Sequence, residues 1–320
     1  MIIPVFLFIL GLILLIKGGD WFVDASVGIA HRFRLPELLI GATVVSIGTT
    51  LPEVMVSATG ALGGQGAMAY GNAIGSVICN TALIAALTIA IKPSATDRKG
   101  LVMPVCFFFG SAVIYAFAAY FMGEFSRVLG LVLLAIFAVY IFISVRRAMS
   151  ESRSVAVTES ANTGKPIKDI IMLIVGAAVI AVGANLLVDN GTKIAHALGV
   201  PESVIALTFV ALGTSLPELV TAITSLVKGH GSLSLGNIIG ANLFNLVLVS
   251  GISVTLAPFE LPCEKTVAGL NASLAVDLPV MFAVMLILTV PALSRGKLSR
   301  FQGVLLLAIY AAYCAFQFLI

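Results

Sequence analysis

Gly48-Thr49-Thr50-Leu51-Pro52-Glu53 returns 165 positions later as Gly213-Thr214-Ser215-Leu216-Pro217-Glu218. A second pair follows at the same offset. It is Gly71-Asn72-Ala73-Ile74-Gly75-Ser76-Val77-Ile78-Cys79-Asn80 against Gly236-Asn237-Ile238-Ile239-Gly240-Ala241-Asn242-Leu243-Phe244-Asn245. Around these blocks, residues 20–80 align with 185–245 without a gap, and about 23 of the 61 pairs are identical. Asp24/Asp189, Ile29-Ala30-His31 with Ile194-Ala195-His196, and Pro36-Glu37 with Pro201-Glu202 are among them. Chance agreement between apolar helices would fall on Leu, Val and Ala, whereas here polar residues match too. The chain is an internal duplication.

The medium follows from composition. Of 320 residues, 60% are apolar and 10% charged, against about a quarter charged in soluble domains, and the mean hydropathy is +1.13. Solid apolar blocks such as Ile3 to Ile16 and Gly130 to Val145 lack the alternation of a membrane β-barrel, so the class is all-α. At about 20 residues per crossing, ten spans are predicted, at roughly 2–18, 38–62, 70–91, 101–122, 126–145, 168–188, 201–227, 233–257, 272–292 and 299–319. The first is read as a retained helix, since it has no basic leader or small-residue cleavage pattern. Placing both termini outside the cell membrane, extracellular or periplasmic, puts fifteen of the eighteen Lys and Arg on the cytoplasmic side. Arg127, Lys193 and Lys265 are left outside. The hydrophilic stretch 146–167 is the single linker, separating residues 1–145 from 168–320. Two five-span units joined by one cytoplasmic linker face opposite ways, the inverted-repeat plan of secondary transporters.

Several functions are excluded. Cys79, Cys106, Cys263 and Cys314 form no CxxC spacing and read as small apolar residues. A net charge of +3, dispersed along the chain, gives no nucleic-acid footprint. No Walker, His-Glu-x-x-His or Gly-x-Ser-x-Gly motif appears, and three histidines make a zinc centre unexpected. The chain reads as neither an enzyme nor an ATP-driven pump, and it needs no resident cofactor. Its partners are transported ions and membrane lipid, and a monomer is compatible with the reading.

The repeated blocks carry the chemistry. Pro52 and Pro217 withhold an N–H and crowd the carbonyl four residues earlier, which should open each helix near Gly-Thr-Thr or Gly-Thr-Ser. Beside each break stands a glutamate in an apolar span, where an unpaired charge is costly and marks an ion or substrate pathway. Glu53, Glu218, freed carbonyls and Thr/Ser hydroxyls compose an all-oxygen site suited to Ca²⁺ and open to Na⁺. Asn80 and Asn245 offer amide groups from matched positions. Ser76 shares the helical face of Asn80, but its mate is Ala241, so the half-sites differ. Gly71-xxx-Gly75 and Gly236-xxx-Gly240 fit close helix packing equally well. His31, His196, Asp24, Asp189, Glu37 and Glu202 read as span-end or loop residues, and Trp21 as an interface anchor.

These blocks resemble the alpha-repeats of the calcium/cation antiporter superfamily, and within it the prokaryotic sodium/calcium exchangers, over nearly the whole chain. The resemblance implies ten spans, with the second and third of each half lining the ion path. It makes Glu53 and Glu218 shared Ca²⁺ and Na⁺ ligands. Thr49, Thr214 and the carbonyls of Ser46 and Ala211 become further oxygen donors, Ser76 part of a Na⁺ site, and Asn80 and Asn245 flanks of the centre. Ala241 stands where a Na⁺-holding serine is expected, and Asn245 where some relatives carry aspartate. Both departures bear on Na⁺ stoichiometry. Gly75 and Gly240 replace the Glu typical of the proton/calcium branch, which favours Na⁺ as the coupling ion. The expected activity is Ca²⁺/Na⁺ antiport by alternating access. H⁺/Ca²⁺ exchange on the same carboxylates is the alternative and a passive cation channel a more distant one.

Overall fold

The computed structural model describes residues 2–93, 95–154, 166–199, 213–263, 266–267 and 269–319. In chain order its helices are α1 (Ile2–Arg32), α2 (Glu37–Leu62), α3 (Gly66–Ile91), α4 (Arg98–Met122) and α5 (Arg127–Ser154). Then come α6 (Pro166–Ala197), α7 (Leu216–Val227), α8 (Gly231–Leu256), α9 (Ser273–Arg295) and α10 (Arg300–Leu319). Among the described residues, eight helices are long and apolar enough to cross a membrane, and α7 is a shorter apolar helix. The protein is a helical membrane protein.

Two helices outrun their predicted ends. Helix α1 continues to Arg32 and α6 to Ala197, so each is about 46–48 Å long against a hydrocarbon layer of about 30 Å. Lys17, Asp20 and Asp24 interrupt the apolar run of α1 without interrupting its backbone hydrogen bonds. Asp24 and Asp189 are therefore mid-helix charges, not span ends or loop residues. Glu37 does open a helix, while Glu202 lies outside the described residues. His31 and His196 are exposed near helix ends. Trp21 is 39% exposed within α1. Only Cys79 is buried as expected of a small core residue; Cys106 and Cys263 are exposed and Cys314 is half-buried. An apolar span in lipid has no solvent face to avoid, so hydrophobicity alone does not place a cysteine inside.

Helices α1 and α6 pack antiparallel through glycines. A Cβ on Gly11 would sit 2.8 Å from the Gly183 carbonyl, and one on Gly183 would sit 2.9 Å from the Gly11 carbonyl. A Cβ on Gly18 would lie 3.1 Å from the Gly176 carbonyl, and one on Gly176 2.8 Å from the Phe22 nitrogen. Gly11 and Gly18 are the 165-offset mates of Gly176 and Gly183, so each glycine meets the mate of the other. Arg32 closes one end of this pair on Asp169, Nη2 to Oδ2 at 2.8 Å. Leu15, Phe22, Val23, Ile180 and Ala184 form a small core with Ile40, Val45 and Leu233. The larger core lies between α3, α4, α5, α8, α9 and α10, around Ile78, Phe108, Tyr115, Leu133, Phe244 and Met285.

At one end of the bundle two turns are tied together. Glu124–Phe125 (β1), between α4 and α5, pairs antiparallel with Phe259–Glu260 (β2), between α8 and α9. The Leu261 N–H adds a bond to the Gly123 carbonyl at 2.9 Å.

Candidate functional site

The proline-glutamate blocks differ between the halves. Pro52 sits inside a continuous helix from Ser46 to Leu62, so the break predicted at Gly48-Thr49-Thr50 does not occur. Proline removes a single donor from the ladder, and the flanking turns keep the backbone helical. The irregularity lies one turn earlier, in a π-helical stretch at Gly41–Val45 whose loosened carbonyls find side chains. Ser46 Oγ donates to the Gly41 carbonyl at 2.7 Å and Tyr140 Oη to the Ala42 carbonyl at 2.9 Å. In the second half the described chain does turn at Gly213–Ser215, and α7 starts at Leu216 with Pro217 in its first turn. There proline occupies a position where its missing N–H costs nothing.

Glu53 on α2 and Glu218 on α7 are both 0% exposed. None of their four carboxylate oxygens has a hydrogen-bond partner among the described residues. Helices α2 and α7, which carry the two groups, pack against one another. Buried polar atoms are almost always paired, and these four oxygens are exceptions among the described residues.

Asn80 and Asn245 are 0% exposed, with both amide atoms unpartnered. Each is the first residue of a π-helical stretch, Asn80–Ala85 in α3 and Asn245–Val249 in α8. Such widened turns recur at functional sites. The Asn80 stretch packs on α7, which carries Glu218, and the Asn245 stretch on α2, which carries Glu53. Ser76 and Thr49 are 5% and 2% exposed and Thr214 is half-buried. Ser46 is fully buried and donates to the Asn237 carbonyl at 3.0 Å. Ala211 lies outside the described residues.

Two asparagines inside the quoted blocks had been assigned no role, yet they bind the threonines. Thr214 Oγ1 donates to Asn72 Oδ1 at 3.2 Å and Thr49 Oγ1 to Asn237 Oδ1 at 3.2 Å. These are the same contact made once from each half. Asn72 Nδ2 also donates to Ser57 Oγ at 2.8 Å and to the Glu53 carbonyl at 3.2 Å. Ala222 is the mate of Ser57, and Asn237 Nδ2 has no partner among the described residues. The recurrence of Gly-Asn in both blocks was the available signal. Thr50 and Ser215, also mates, are buried with unpartnered hydroxyls. The glycine motifs divide: Gly236 and Gly240 press on α2, where a Cβ on Gly240 would meet Ser46 Oγ and, at 2.7 Å, Ala42 Cα, whereas Gly71 and Gly75 meet nothing within 4 Å among the described residues. No group of three His, Cys, Asp or Glu side chains suited to a metal occurs among the described residues.

The chain is thus a helical membrane protein with two buried, unpartnered glutamates at matched positions of its duplication. Comparison with known proteins defines it further. Residues 3–146 and 168–319 match the family described as sodium/calcium exchanger protein. A sodium/calcium exchanger of Methanosarcina acetivorans, MaX1, is 30% identical over 98% of this chain and 97% of its own length. An uncharacterised membrane protein of Methanocaldococcus jannaschii is 36% identical over 97% and 96%. A solved structure of the sodium-calcium exchanger NCX_Mj superposes with a TM-score of 0.80 at 34% identity, covering 98% of both chains. The chain belongs to the sodium/calcium exchanger family, whose members are transporters rather than enzymes.

Proposed function

We propose that the chain exchanges Ca²⁺ for Na⁺ across the cell membrane by alternating access at a centre shared between Glu53 and Glu218. The observation that carries this reading is the pair of fully buried, unpartnered carboxylates, one from each half, on helices that pack against one another. One Ca²⁺, or Na⁺ ions in its place, neutralises the pair, and the shared ligands make occupation mutually exclusive. Without a cation two anions face each other in a dry interior, so the empty carrier reorients slowly and exchange is favoured over leak. Thr49, Thr214, Ser76, Asn80, Asn245 and the carbonyls of Ser46 and Ala211 complete the oxygen set. No resident cofactor takes part.

The fold we assign to this activity is ten spans in two inverted five-helix repeats, residues 1–145 and 168–320, with both termini outside. The crosswise glycine contacts of α1 with α6, the duplicated Thr–Asn bond and the matched π-helical turns at Asn80 and Asn245 support it. Helix α1 packs chiefly on α6, which suits the two to move as a pair past the rest. The test is ⁴⁵Ca²⁺ uptake into proteoliposomes under separately imposed Na⁺ and H⁺ gradients. Uptake should follow the Na⁺ gradient at fixed pH; uptake driven by H⁺ alone makes the chain a proton/calcium exchanger.

A further inference from the structure

A cavity of about 510 Å³ has Ser76 and Thr214, two residues of the proposed centre, on its inner wall. It extends to the end of the bundle where α3 and α9 begin and α10 finishes, and there Asp277 lines it. Asp277 supplies the only formal charge among the described lining residues, the remainder being hydroxyl, thiol, amide and apolar groups. It closes a π-helical turn, Ser273–Asp277, at the start of a membrane-crossing helix. Tyr313 Oη and Gln317 Nε2 of α10 both donate to its Oδ1, at 3.1 and 3.0 Å, and fix its orientation. Tyr70 lines the same cavity; it is 3% exposed, and its hydroxyl has no hydrogen-bond partner among the described residues.

A carboxylate at the mouth of a cavity that reaches the proposed centre stands where an entering ion would pass. An unpartnered buried hydroxyl beside it is a second oxygen with nothing to bind. We infer that Asp277 and Tyr70 form a second cation site, an entry point where a partly hydrated Na⁺ or Ca²⁺ pauses before reaching the glutamates. Acidic groups in a low-dielectric cleft raise the local cation concentration and the rate of arrival. The site therefore acts on entry from one face only, the face that the proposed function takes as external.

The inference rests on that function for its direction but is testable without it. In an E53Q/E218Q variant, which lacks both central charges, Tb³⁺ should still bind. Its luminescence, excited through tyrosine, should be displaced by Ca²⁺ and lost on adding D277N. Because Asn keeps an acceptor for Tyr313 and Gln317, the fold is preserved, which circular dichroism checks. This arm needs no transport, so it decides the site even in a chain that carries no Ca²⁺. In otherwise unaltered protein, D277N should raise the external KM for Ca²⁺ about tenfold at low ionic strength. The internal KM and the saturated rate should hold, and D277E should restore the external value. Tb³⁺ luminescence indifferent to D277N, a KM change equal on both faces, or a D277E variant as poor as D277N overturns the proposal.

Discussion

Replacing Glu53 with Gln should move stability in opposite directions depending on whether Ca²⁺ is present. The carboxylate is fully buried and unpartnered. In cation-free protein the substitution removes one of two buried, unpartnered carboxyl groups while preserving shape, so the unloaded variant should melt no lower than unloaded wild type. With Ca²⁺ the sign reverses. Removing one partner from a buried charge pair costs about 3–5 kcal/mol, which is an affinity loss of roughly 10²- to 10³-fold or more at 1.4 kcal/mol per decade. At a Ca²⁺ concentration of a hundred times the wild-type Kd, binding stabilises wild type by about 2.7 kcal/mol. A hundredfold weaker variant at the same concentration gains only RT ln 2, about 0.4 kcal/mol. Thermal unfolding of the detergent-purified proteins, with chelator and with Ca²⁺, reads both quantities. A Glu53→Gln protein that keeps the full Ca²⁺-dependent shift would refute the assignment of Glu53 as a ligand. An unloaded variant much less stable than wild type would refute the claim that the bare carboxylates strain the fold.

Three further outcomes follow from the geometry. Gly240→Ala should cost about 1–3 kcal/mol or more, because its methyl lands on Ser46 and the Ala42 backbone; Gly75→Ala, with open space among the described residues, should stay within about 0.5 kcal/mol, both read by thermal melts. Asn72→Ala strips hydrogen bonds from Thr214, Ser57 and the Glu53 carbonyl and should cost about 1–3 kcal/mol, with weaker Ca²⁺ binding by calorimetry. Lys228 binds Asp24 at 2.7 Å and Asp20 at 3.3 Å, tying α1 to the end of α7. Partial burial opposes its charge, but the bonds and charges of the two aspartates prevail and hold the ammonium above the usual lysine range. The pair is solvent-accessible, so Lys228→Ala should cost no more than about 1 kcal/mol in denaturant titration and speed Ca²⁺/Ca²⁺ counterflow by up to about fivefold as α1 is released.

Much of this was legible from sequence because lipid simplifies the code: apolar length gives helices, and duplicated polar residues stand out against an apolar background. Glu53 and Glu218 stand out that way, as does the match of Asn80 with Asn245. Features set by packing were hidden. Charged residues that interrupt an apolar run do not announce whether the helix ends with it, so α1 and α6 outrun the spans read from sequence. Proline predicts a lost donor but not whether adjacent turns absorb it, and the two halves answer differently at Pro52 and Pro217. The π-helical turns at Asn80 and Asn245 depend on which carbonyls neighbouring helices can satisfy, a tertiary property. Lys228 with Asp24, and His230 with Glu37 at 2.8 Å, join residues about two hundred positions apart, and nothing local marks them as partners.

The short strand pair Glu124–Phe125 with Phe259–Glu260 constrains how the molecule can divide during work. It staples a turn of the amino-terminal half to one of the carboxy-terminal half, on the same rim. A rocking of one half against the other would have to tear that staple at every cycle. Under the exchange proposed above, the line of motion therefore runs across both halves, with the stapled helices as a stationary frame and one long helix from each as the travelling part.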